Sequence, residues 1–555
     1  MRLPLIPREI EKSKRAAPAG ESTHFPMSLV SGGVKLAGVD LDVEVPPNGT
    51  LRVTIVDAET GLVTAAVAGV YAPDNQLMAP ANALRFDDGG AYYTSGQVRP
   101  NVQAHYWPGS SKQHKVFFTA GHFSLTLHQG NYVLIAGKGM EYLPVRKSVA
   151  VKAGATESQR VVLNRWIDMP ARGWYSGDGH VHYERRNREA DRRLMLWASA
   201  EDVHLVNVLR MGDAREIYYP QYSFGTAGRV LSGNYAIVPG QEDPRTNVMG
   251  HSLELNLQAP VRFADQYYLF DLVFDEVRRQ GGLVGYPHIY RPPIGGYWVA
   301  RDMTLNIPHQ RADFAEFCEY GDIGEELYYE FLNLGFPLAA SAGSDVPYGN
   351  TIGTSRVYAY TGDRFSHDDW FTALRKGHTF VTNGPMLEFT VNGHIPGAEI
   401  HARAGERLHI KAAAYGNPVL PGHLEVVEQG EVIRSAQVAS RQAKEISVEF
   451  TIPVQHSTWI AARCYGAHTT PVYVKVGEER FWKRSQIEAL TARRLEQLQE
   501  IDQLIREGIP EGHAGGWDNP ATFHKGAAEL EKRVQEARAI YEGLLRQSKH
   551  ASPGQ

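Results

Sequence analysis

The sequence predicts a multidomain protein of the α/β plus β class, with a central α/β unit flanked by β-sandwich domains and a C-terminal helical hairpin. Its 555 residues exceed what one hydrophobic core usually holds. Short alternating apolar runs fill 27–168 and 386–478, whereas strand-like and helix-like segments alternate over 169–385. From 479 onward the apolar residues recur at helical spacing instead.

The composition is that of a folded globular protein and excludes several functions. Apolar residues make up 43% and charged residues 21%, close to globular averages. A formal net charge of -5 provides no basic field, so we do not expect nucleic acid as the main ligand. The two cysteines, Cys318 and Cys464, exclude a disulfide framework and a cysteine-rich zinc site.

The chain lacks the apolar segments that membrane insertion or export requires. No run approaches the roughly 20 apolar residues that cross a bilayer, so no membrane span is predicted. Residues 1–20 carry charges but no apolar core of a signal peptide. We therefore expect a cytoplasmic protein, with a secreted or trimmed form left open.

The outer segments predict an arm and two β domains. Residues 1–26 lack apolar periodicity and are interpreted as a disordered arm. Alternating runs such as 51–55 and 132–135, separated by turn residues, predict an N-terminal β-sandwich over 27–168. Similar runs predict a second, smaller β domain over 386–478.

The C-terminal segment, 479–555, predicts an antiparallel helical hairpin around a Gly- and Pro-rich connector at 508–520. One apolar stripe repeats at helical spacing and consists of Leu530, Val534, Ala537, Tyr541 and Leu544. We interpret the hairpin as a packing element or an oligomer contact, which leaves a homo-oligomer open.

The central segment is the part of the chain to search for functional residues. Helix-like stripes at 190–200 and 267–280 precede short apolar runs at 203–209 and 282–285, and another short run follows at 338–342. This alternation predicts a mainly parallel sheet or barrel, in which functional groups lie at the carboxyl ends of the strands.

A pair of histidines, His180 and His182, ends the first strand-like run of this segment. Side chains alternate along a strand, so both imidazoles would leave the same face. Neutral imidazole is a common ligand of divalent transition metals. In a chain with 22 histidines such a pair is by itself more often a polar strand end.

Four further residues at apparent strand termini complete a ligand set, namely Glu242, His251, His288 and Asp345. Taken singly, Glu242 is explained as a helix cap or solvated acid, His288 as a core histidine and Asp345 as a turn residue. Together with His180 and His182 they predict a site for two divalent ions. One ion takes His180, His182 and Asp345, the other takes His251 and His288, and Glu242 bridges them. The mixed ligands fit Zn, Mn or Fe.

These motifs resemble those of the PHP (polymerase and histidinol phosphatase) superfamily of metallohydrolases, and more closely the branch that includes carbaryl hydrolase. The resemblance is carried by GWYSGDGHVH, PGQED, MGHSLELNL, QGGLVGYPH, AGSD and LRKGHTFVTNGP, and it covers most of 120–480. It implies a distorted β/α barrel of about seven strands over 169–385.

Two departures from the family pattern reduce the expected number of ions. Relatives often carry Thr-Asp-His where this chain has Arg210-Met-Gly-Asp213, and a histidine where it has Pro347. Both histidines belong to a third metal site. We therefore expect two ions, with Asp213 or Arg210 facing the space of the third.

Other polar and aromatic residues are candidates for contacts with substrate. Arg210 and Arg356 are predicted to clamp a phosphate or carboxylate, although a structural ion pair is the more common role for any single arginine. Glu319 follows the strand-like 314–318 and is interpreted as an outer partner of a metal ligand or as a general acid/base. The aromatic residues Tyr286, Tyr290, Tyr297 and Trp298 predict either a substrate wall or core packing.

Two functions are consistent with these residues. The first is a metal-dependent hydrolase that cleaves an ester-type bond of a small-molecule substrate with a metal-bound hydroxide. A carboxyl or carbamate ester is favoured over a phosphoester because the third metal site is missing and no Gly-rich phosphate cradle is present. The alternative is a non-catalytic binding or scaffold protein, whose β domains bind a polymer or partner and whose barrel metal is structural. Six candidate ligands in one segment favour the enzyme.

Overall fold

The computed structural model describes residues 22–31, 34–44, 46–85, 116–289, 299–319, 322–348, 351–416, 421–438, 443–510 and 516–550. The candidates Tyr290, Tyr297 and Trp298 lie outside these ranges, as do residues 1–21 of the predicted arm. The prediction of a disordered arm differs from the structure over residues 22–26, because their backbone pairs antiparallel with residues 40–44.

The described residues of the N-terminal part form strands. They are β1 Ser22–Ser31, β2 Val34–Glu44, β3 Asn48–Asp57, β4 Ala66–Tyr71, β5 Leu77–Met78, β6 Leu84–Arg85, β7 Phe117–Thr119, β8 His122–His128, β9 Gly130–Gly137, β10 Tyr142–Leu143, β11 Val145–Val151 and β12 Thr156–Arg165. A four-stranded sheet (β10-β12-β3-β8) and a six-stranded sheet built on β11-β9-β4-β7-β6 share one core. Apolar residues at alternate positions of β3 and β9 fill it, as period-two patterning predicts.

The central part alternates strands and helices. Its elements are β13 Trp174–Val181, α1 Arg188–Ala200, β14 Leu205–Gly212, β15 Ile217–Tyr218, α2 Gly225–Gly228, β16 Val230–Ser232, β17 Tyr235–Glu242, β18 Arg245–Thr246, β19 Gly250–His251, β20 Leu253–Leu255, α3 Phe270–Arg279, β21 Leu283–Tyr286, α4 Val299–Asn306, β22 Phe314–Glu319, β23 Asp322–Ile323, α5 Glu326–Asn333, β24 Ala339–Gly343, β25 Arg356–Tyr360, α6 His367–Lys376 and β26 Thr379–Thr382.

The strands of the central part form a mixed sheet, in which two groups of parallel strands are joined by antiparallel pairings. β13, β14 and β17 pair in parallel, and so do β21, β22 and β24. A parallel bridge between Val181 and Val346 joins the end of β13 to the segment that follows β24. β20 interrupts the pattern because it pairs antiparallel with both β17 and β21. The seven-stranded barrel that the resemblance implies therefore stays a prediction.

The carboxyl ends of five central strands meet at one edge of the sheet. Five of the candidate residues occupy or directly follow these ends: His180 in β13, Glu242 in β17, His288 after β21, Glu319 in β22 and Asp345 after β24. Since functional groups of α/β sheets gather at carboxyl ends, this edge is where a site is expected.

The C-terminal part holds the last strands and a helical pair. These elements are β27 Met386–Val391, β28 Glu399–Ala402, β29 Arg407–Tyr415, β30 His423–Glu428, β31 Glu431–Gln437, β32 Glu445–Pro453, β33 Thr458–Cys464, β34 Ala467–Thr469, β35 Val472–Val476, α7 Ile487–Glu507 and α8 Pro520–His550. The small β domain is continuous with the central sheet, because β34 pairs antiparallel with β26. None of the described helices is long and apolar enough to cross a membrane.

The helical pair packs on the central part through α4. The hydroxyl of Tyr541 donates a hydrogen bond to the backbone oxygen of Thr304, and the hydroxyl of Thr304 donates to Gln497. The ion pair between Arg538 and Asp502 joins α8 to α7. The hairpin thus packs on the central part, which agrees with its interpretation as a packing element.

A seam of buried charges joins the N-terminal sandwich to the end of α1. Arg165 lies 2.5 Å from Glu141 and 3.2 Å from Asp202, and the ammonium of Lys138 donates to the backbone oxygen of Ser199. Buried charges are stable when they are paired and hydrogen-bonded. The two parts are therefore held at a defined position relative to each other.

Glu201, beside this seam, is a buried carboxyl with a raised pKa. Burial raises its pKa to about 7, although the hydroxyl of Thr351 and the charges of Arg356 and Lys138 oppose the rise. The folded protein thus binds this proton more tightly than the unfolded chain does. Its contribution to stability falls as the pH rises from about 4.5 to about 7 and is constant above that.

We expect the free energy of unfolding of the Glu201→Gln variant to increase, relative to that of the unsubstituted protein, as the pH rises. A glutamine does not ionise, so the difference in the free energy of unfolding should grow by about 3 kcal/mol between pH 4.5 and pH 7.5. Urea unfolding at both pH values measures it. Glu189→Gln, on an exposed position of α1, is the control and should show no such growth. An equal difference for Glu201→Gln at both pH values would contradict the assignment.

Candidate metal centre

The two histidines of β13 lie side by side at the carboxyl edge of the sheet. The side chains of His180 and His182 are both 0% exposed, and their Nε2 atoms are 3.0 Å apart. The alternation of side chains along a strand accounts for the shared face. The Nε2 atoms of both rings point into the same space, where one cation could bind to both.

Asp178 holds this strand against the segment that carries Asp345. Its Oδ1 accepts hydrogen bonds from the backbone N–H groups of His180 and Ser344, both at 3.0 Å. Its Oδ2 accepts from the N–H of Gly353 at 2.7 Å. Asp178 is fully buried and is a positioning residue that the sequence reasoning missed, although it stands in the Gly-Asp-Gly-His motif.

Glu242 lies between two pairs of histidines. Its Oε2 is 3.2 Å from Nε2 of His182 and 3.7 Å from Nε2 of His180. Its Oε1 is 2.8 Å from Nδ1 of His251 and 4.0 Å from Nε2 of His288. One carboxylate oxygen thus faces each pair.

Asp345 reaches the same space from the segment that follows β24. Its Oδ1 is 3.4 Å from Nε2 of both His180 and His182, and its Oδ2 is 3.9 Å from Nε2 of His288. All six residues that the sequence predicts as ligands are therefore brought together.

Two further carboxylates face the far side of the His180 ring. Oε1 of Glu316 and Oε1 of Glu319 lie 3.5 Å and 3.4 Å from Nδ1 of His180. Glu319 also comes within 3.7 Å of Nε2 of His288. Neither carboxylate accepts a hydrogen bond from the described part of the chain, although both are fully buried. Sequence reasoning found Glu319 and missed Glu316.

A β-bulge explains how Glu316 and Glu319 reach the same ring. Residues three apart on a regular strand point to opposite faces. The pairing of β22 with β24 shifts register between Glu316 and Cys318, so one residue is inserted. The bulge re-aims the following side chains, and both carboxylates then face His180.

The charges of this cluster favour a bound cation. Burial lowers the pKa of His180, but the charges of Asp345 and Glu316 outweigh burial and hold that pKa well above its ordinary value. Burial and the neighbouring charge of Glu316 raise the pKa of Glu319 well above its ordinary value. These acids and imidazoles stabilise positive charge among them, as divalent ions would provide.

The side chains also satisfy the distance requirement for metal ligands. Three groups each offer ligand atoms within 4.8 Å of one another: His180, His182 and Glu242; Glu242, His251 and His288; and His180, His288, Glu319 and Asp345. Buried carboxylate oxygens without hydrogen bonds, together with this donor set, fit divalent transition metals.

Aromatic rings line the cluster on two sides. The ring of Tyr219 stacks on His182 with centroids 5.3 Å apart, and the ring of Tyr348 lies edge-on at 6.1 Å. On the other side, the indole of Trp517 lies 5.5 Å from the ring of His251. Trp517 belongs to the segment before α8, so the C-terminal hairpin contributes a wall of the site. Tyr286, by contrast, is fully buried and donates a hydrogen bond to Asp302.

Arg210 and Asp213 are bonded away from the cluster. The guanidinium of Arg210 lies 3.0 Å from Asp243 and donates to Gln241. The carboxylate of Asp213 accepts hydrogen bonds from the N–H groups of Arg215 and Glu216 and from the hydroxyl of Tyr218. Arg210 is thus a member of a structural ion pair and Asp213 caps a turn, and their roles as catalytic residues stay a prediction.

Arg356 is likewise a structural residue. It is 2% exposed, and its guanidinium donates to the backbone oxygens of Gly353, Asp202 and Glu201. These carbonyl groups use its donors and favour a structural role, and the contact with a phosphate or carboxylate stays a prediction. The partners lie up to 155 residues away in sequence, which is why local spacing does not reveal them.

Comparisons with known proteins give no family for the chain. No protein-family model matches it, and no curated protein matches it. Among solved structures, it is similar to a two-domain protein from Bacteroides vulgatus that contains a predicted PHP-like metal-dependent phosphoesterase. The identity is 10%, the alignment covers 55% of this chain and 95% of that chain, and the TM-score is 0.30. A minor pilin of Streptococcus agalactiae shows 12% identity over 25% of this chain and 58% of the pilin, with a TM-score of 0.15. TM-scores of this size establish neither a shared fold nor a shared function.

The Gly-Ser-Asp motif contains a glycine that the site geometry requires. A Cβ atom at Gly343 would overlap the Cβ of His180 and approach Oε1 of Glu316. We expect Gly343→Ala to displace His180, to lower the free energy of unfolding by about 1–3 kcal/mol, and to reduce the metal content. Thermal unfolding and elemental analysis measure the two effects. Gly422→Ala, where nothing lies within 4 Å of the added atom, is the control. Equal effects of both substitutions would contradict the contact.

Proposed function

We propose that this chain is a metal-dependent hydrolase of the PHP superfamily that holds two divalent ions and cleaves an ester-type bond. The observation that carries the proposal is the placement of Glu242 and Asp345. Each of these carboxylates directs one oxygen toward the His180–His182 pair and the other toward the side of His288. Carboxylates that face two ligand groups in this way suit a pair of ions.

The donor atoms divide between two ions as follows. Nε2 of His180 and of His182 would hold the first ion, and His251 and His288 would hold the second. Glu242 and Asp345 would contribute an oxygen to each, so Asp345 is shared where the sequence assigns it to one ion. When bound, two such ions lower the pKa of a water molecule and polarise a substrate oxygen. Zn, Mn or Fe fits these ligands.

The acids behind His180 have a positioning role in this proposal. A carboxylate at Nδ1 of a metal-binding histidine fixes its tautomer, so the lone pair of Nε2 faces the ion. Glu319 and Glu316 stand at 3.4 Å and 3.5 Å from that nitrogen. With an ion bound at Nε2, they would hold the Nδ1 proton and raise the basicity of the ring.

The entrance to the site lies on the side of His288. Its side chain is 21% exposed, whereas the side chain of Glu242 is 2% exposed and that of His180 is 0% exposed. A substrate therefore reaches the cluster past His288, and the buried side excludes bulk water. Such exclusion strengthens the electrostatic interactions within the site.

The bonding of Arg210 and Asp213 supports two ions over three. Both side chains are used by structural partners, so neither replaces the ligands of a third site. A carboxyl ester, a carbamate or a phosphoester is compatible with a two-ion centre.

Metal content tests the ligand assignment. We expect two transition-metal ions per chain by elemental analysis of protein purified without chelator. His251→Ala should retain about one ion, since it removes a ligand of the second ion only. Glu242→Ala should reduce the occupancy of both ions, since Glu242 is a proposed ligand of each. His409→Ala, at an exposed histidine outside the cluster, should retain two. Three ions at full occupancy, or none, would contradict the assignment.

Hydrolysis tests the function itself. The metal-loaded protein should cleave at least one member of a panel of 4-nitrophenyl carboxylates, carbamates, phosphomonoesters and phosphodiesters. Because loss of an outer partner of a metal ligand typically costs about 10- to 100-fold, His182→Ala and Asp345→Asn should lower kcat/KM by at least about 100-fold. Initial rates with the His409→Ala control should stay unchanged. If the whole panel is inert, or if these variants retain full activity, the hydrolase proposal fails.

A further inference from the structure

Arg245 is a buried arginine beside the candidate metal centre, and it has no acidic partner in the part of the chain that the structure describes. It is 6% exposed, and its Nη1 has no hydrogen-bond partner among the described residues. No carboxylate of the described residues forms an ion pair with its guanidinium. Its neighbours Arg210 and Arg262 differ in this respect, because both pair with Asp243. Fully buried arginines are rare unless they are paired.

The position of Arg245 ties it to the cluster. β18 and β19 pair antiparallel, and Arg245 stands directly opposite His251 in the register. Cross-strand partners of this kind project from the same face at short range.

The indole of Trp517 contacts both the guanidinium of Arg245 and the imidazole of His251. The Cζ atom of Arg245 lies 3.8 Å from the centroid of the indole, and the ring of His251 lies 5.5 Å from it. The cation–π contact covers one face of the guanidinium but accepts none of its in-plane hydrogen bonds. Nη1 in particular has no acceptor among the described residues, and an anion would provide one.

The contact with Arg245 is not needed to hold Trp517 in place. The backbone oxygen of Trp517 accepts a hydrogen bond from Ala214, and the carboxylate of Asp518 accepts from the N–H of Asn247 and the hydroxyl of Tyr268. These bonds anchor the segment before α8 independently. A purely structural role for the buried charge is therefore weakly supported.

We propose that Arg245 and Trp517 form a subsite that binds an anionic group of the substrate, with the guanidinium holding the oxyanion and the indole covering an adjacent flat apolar group. The subsite deepens the proposed function and rests on it, since it selects the esters that the centre cleaves: anionic aryl or otherwise planar esters over neutral ones. Guanidinium binds a carboxylate and a phosphoryl group with the same fork of donors.

Binding of unreactive anions tests the subsite without catalysis. Calorimetric titration of the metal-loaded protein with phenylphosphonate and with benzoate distinguishes a phosphoryl from a carboxylate group, and the tighter probe identifies the natural one. Arg245→Met should weaken that probe by about 10- to 100-fold, since a charged hydrogen-bonding partner is lost. Arg192→Met, at an exposed arginine of α1, should leave it unchanged. Trp517→Leu should weaken phenylphosphonate but leave inorganic phosphate nearly unaffected, because phosphate has no ring to cover.

A matched pair of esters separates this proposal from the hydrolase function. With Arg245→Met, KM for the anionic 4-nitrophenyl hemisuccinate should rise by about 10- to 100-fold, whereas KM for neutral 4-nitrophenyl acetate should hardly change. Equal effects on both esters, or unaltered binding of both probes in a variant with an unchanged circular dichroism spectrum, would overturn the subsite and leave the hydrolase standing. Loss of probe binding in Arg245→Met of a protein that hydrolyses neither of these esters nor any member of the 4-nitrophenyl panel would support the subsite and reject the hydrolase.

Discussion

Four buried carboxylates and four imidazoles converge at one edge of the central sheet, and the rest of the site depends on how their charges are balanced. Glu242, Asp345, Glu316 and Glu319 surround His180 at distances between 3.4 and 3.7 Å. Acids this close together in a buried site repel one another and are costly to ionise. Divalent ions in their midst would remove that cost, and binding of metal would then be coupled to the stability of this edge.

The sheet supplies the rigidity that such a cluster needs. Asp178 ties the backbone of β13 to the segment after β24, and Gly343 allows the two segments to approach at His180. The ligands are thus carried by strand ends and by residues directly next to them. Ligands fixed in this way lose little conformational entropy when an ion binds.

The C-terminal hairpin has two roles in the structure. Its helices pack on α4, and the segment before α8 places Trp517 beside His251 and Arg245. The approach of this segment encloses one side of the centre and removes Arg245 from water. The sequence interpretation of the hairpin as packing or oligomer contact omits this second role, because nothing in a Gly- and Pro-rich connector indicates the surface on which it docks.

The sequence by itself determined the residues of the candidate centre, because strand periodicity places His180 and His182 on one face and short apolar runs end at Glu242, His288 and Asp345. It also determined the order of strand-rich, mixed and helical segments. Only the tertiary structure decided the roles of Arg210, Asp213 and Arg356, since their partners are backbone groups and acids whose proximity depends on long-range packing. The same holds for Glu316, which a bulge turns toward His180. It also holds for Arg245, because the absence of an acidic partner among the described residues depends on its surroundings in the fold.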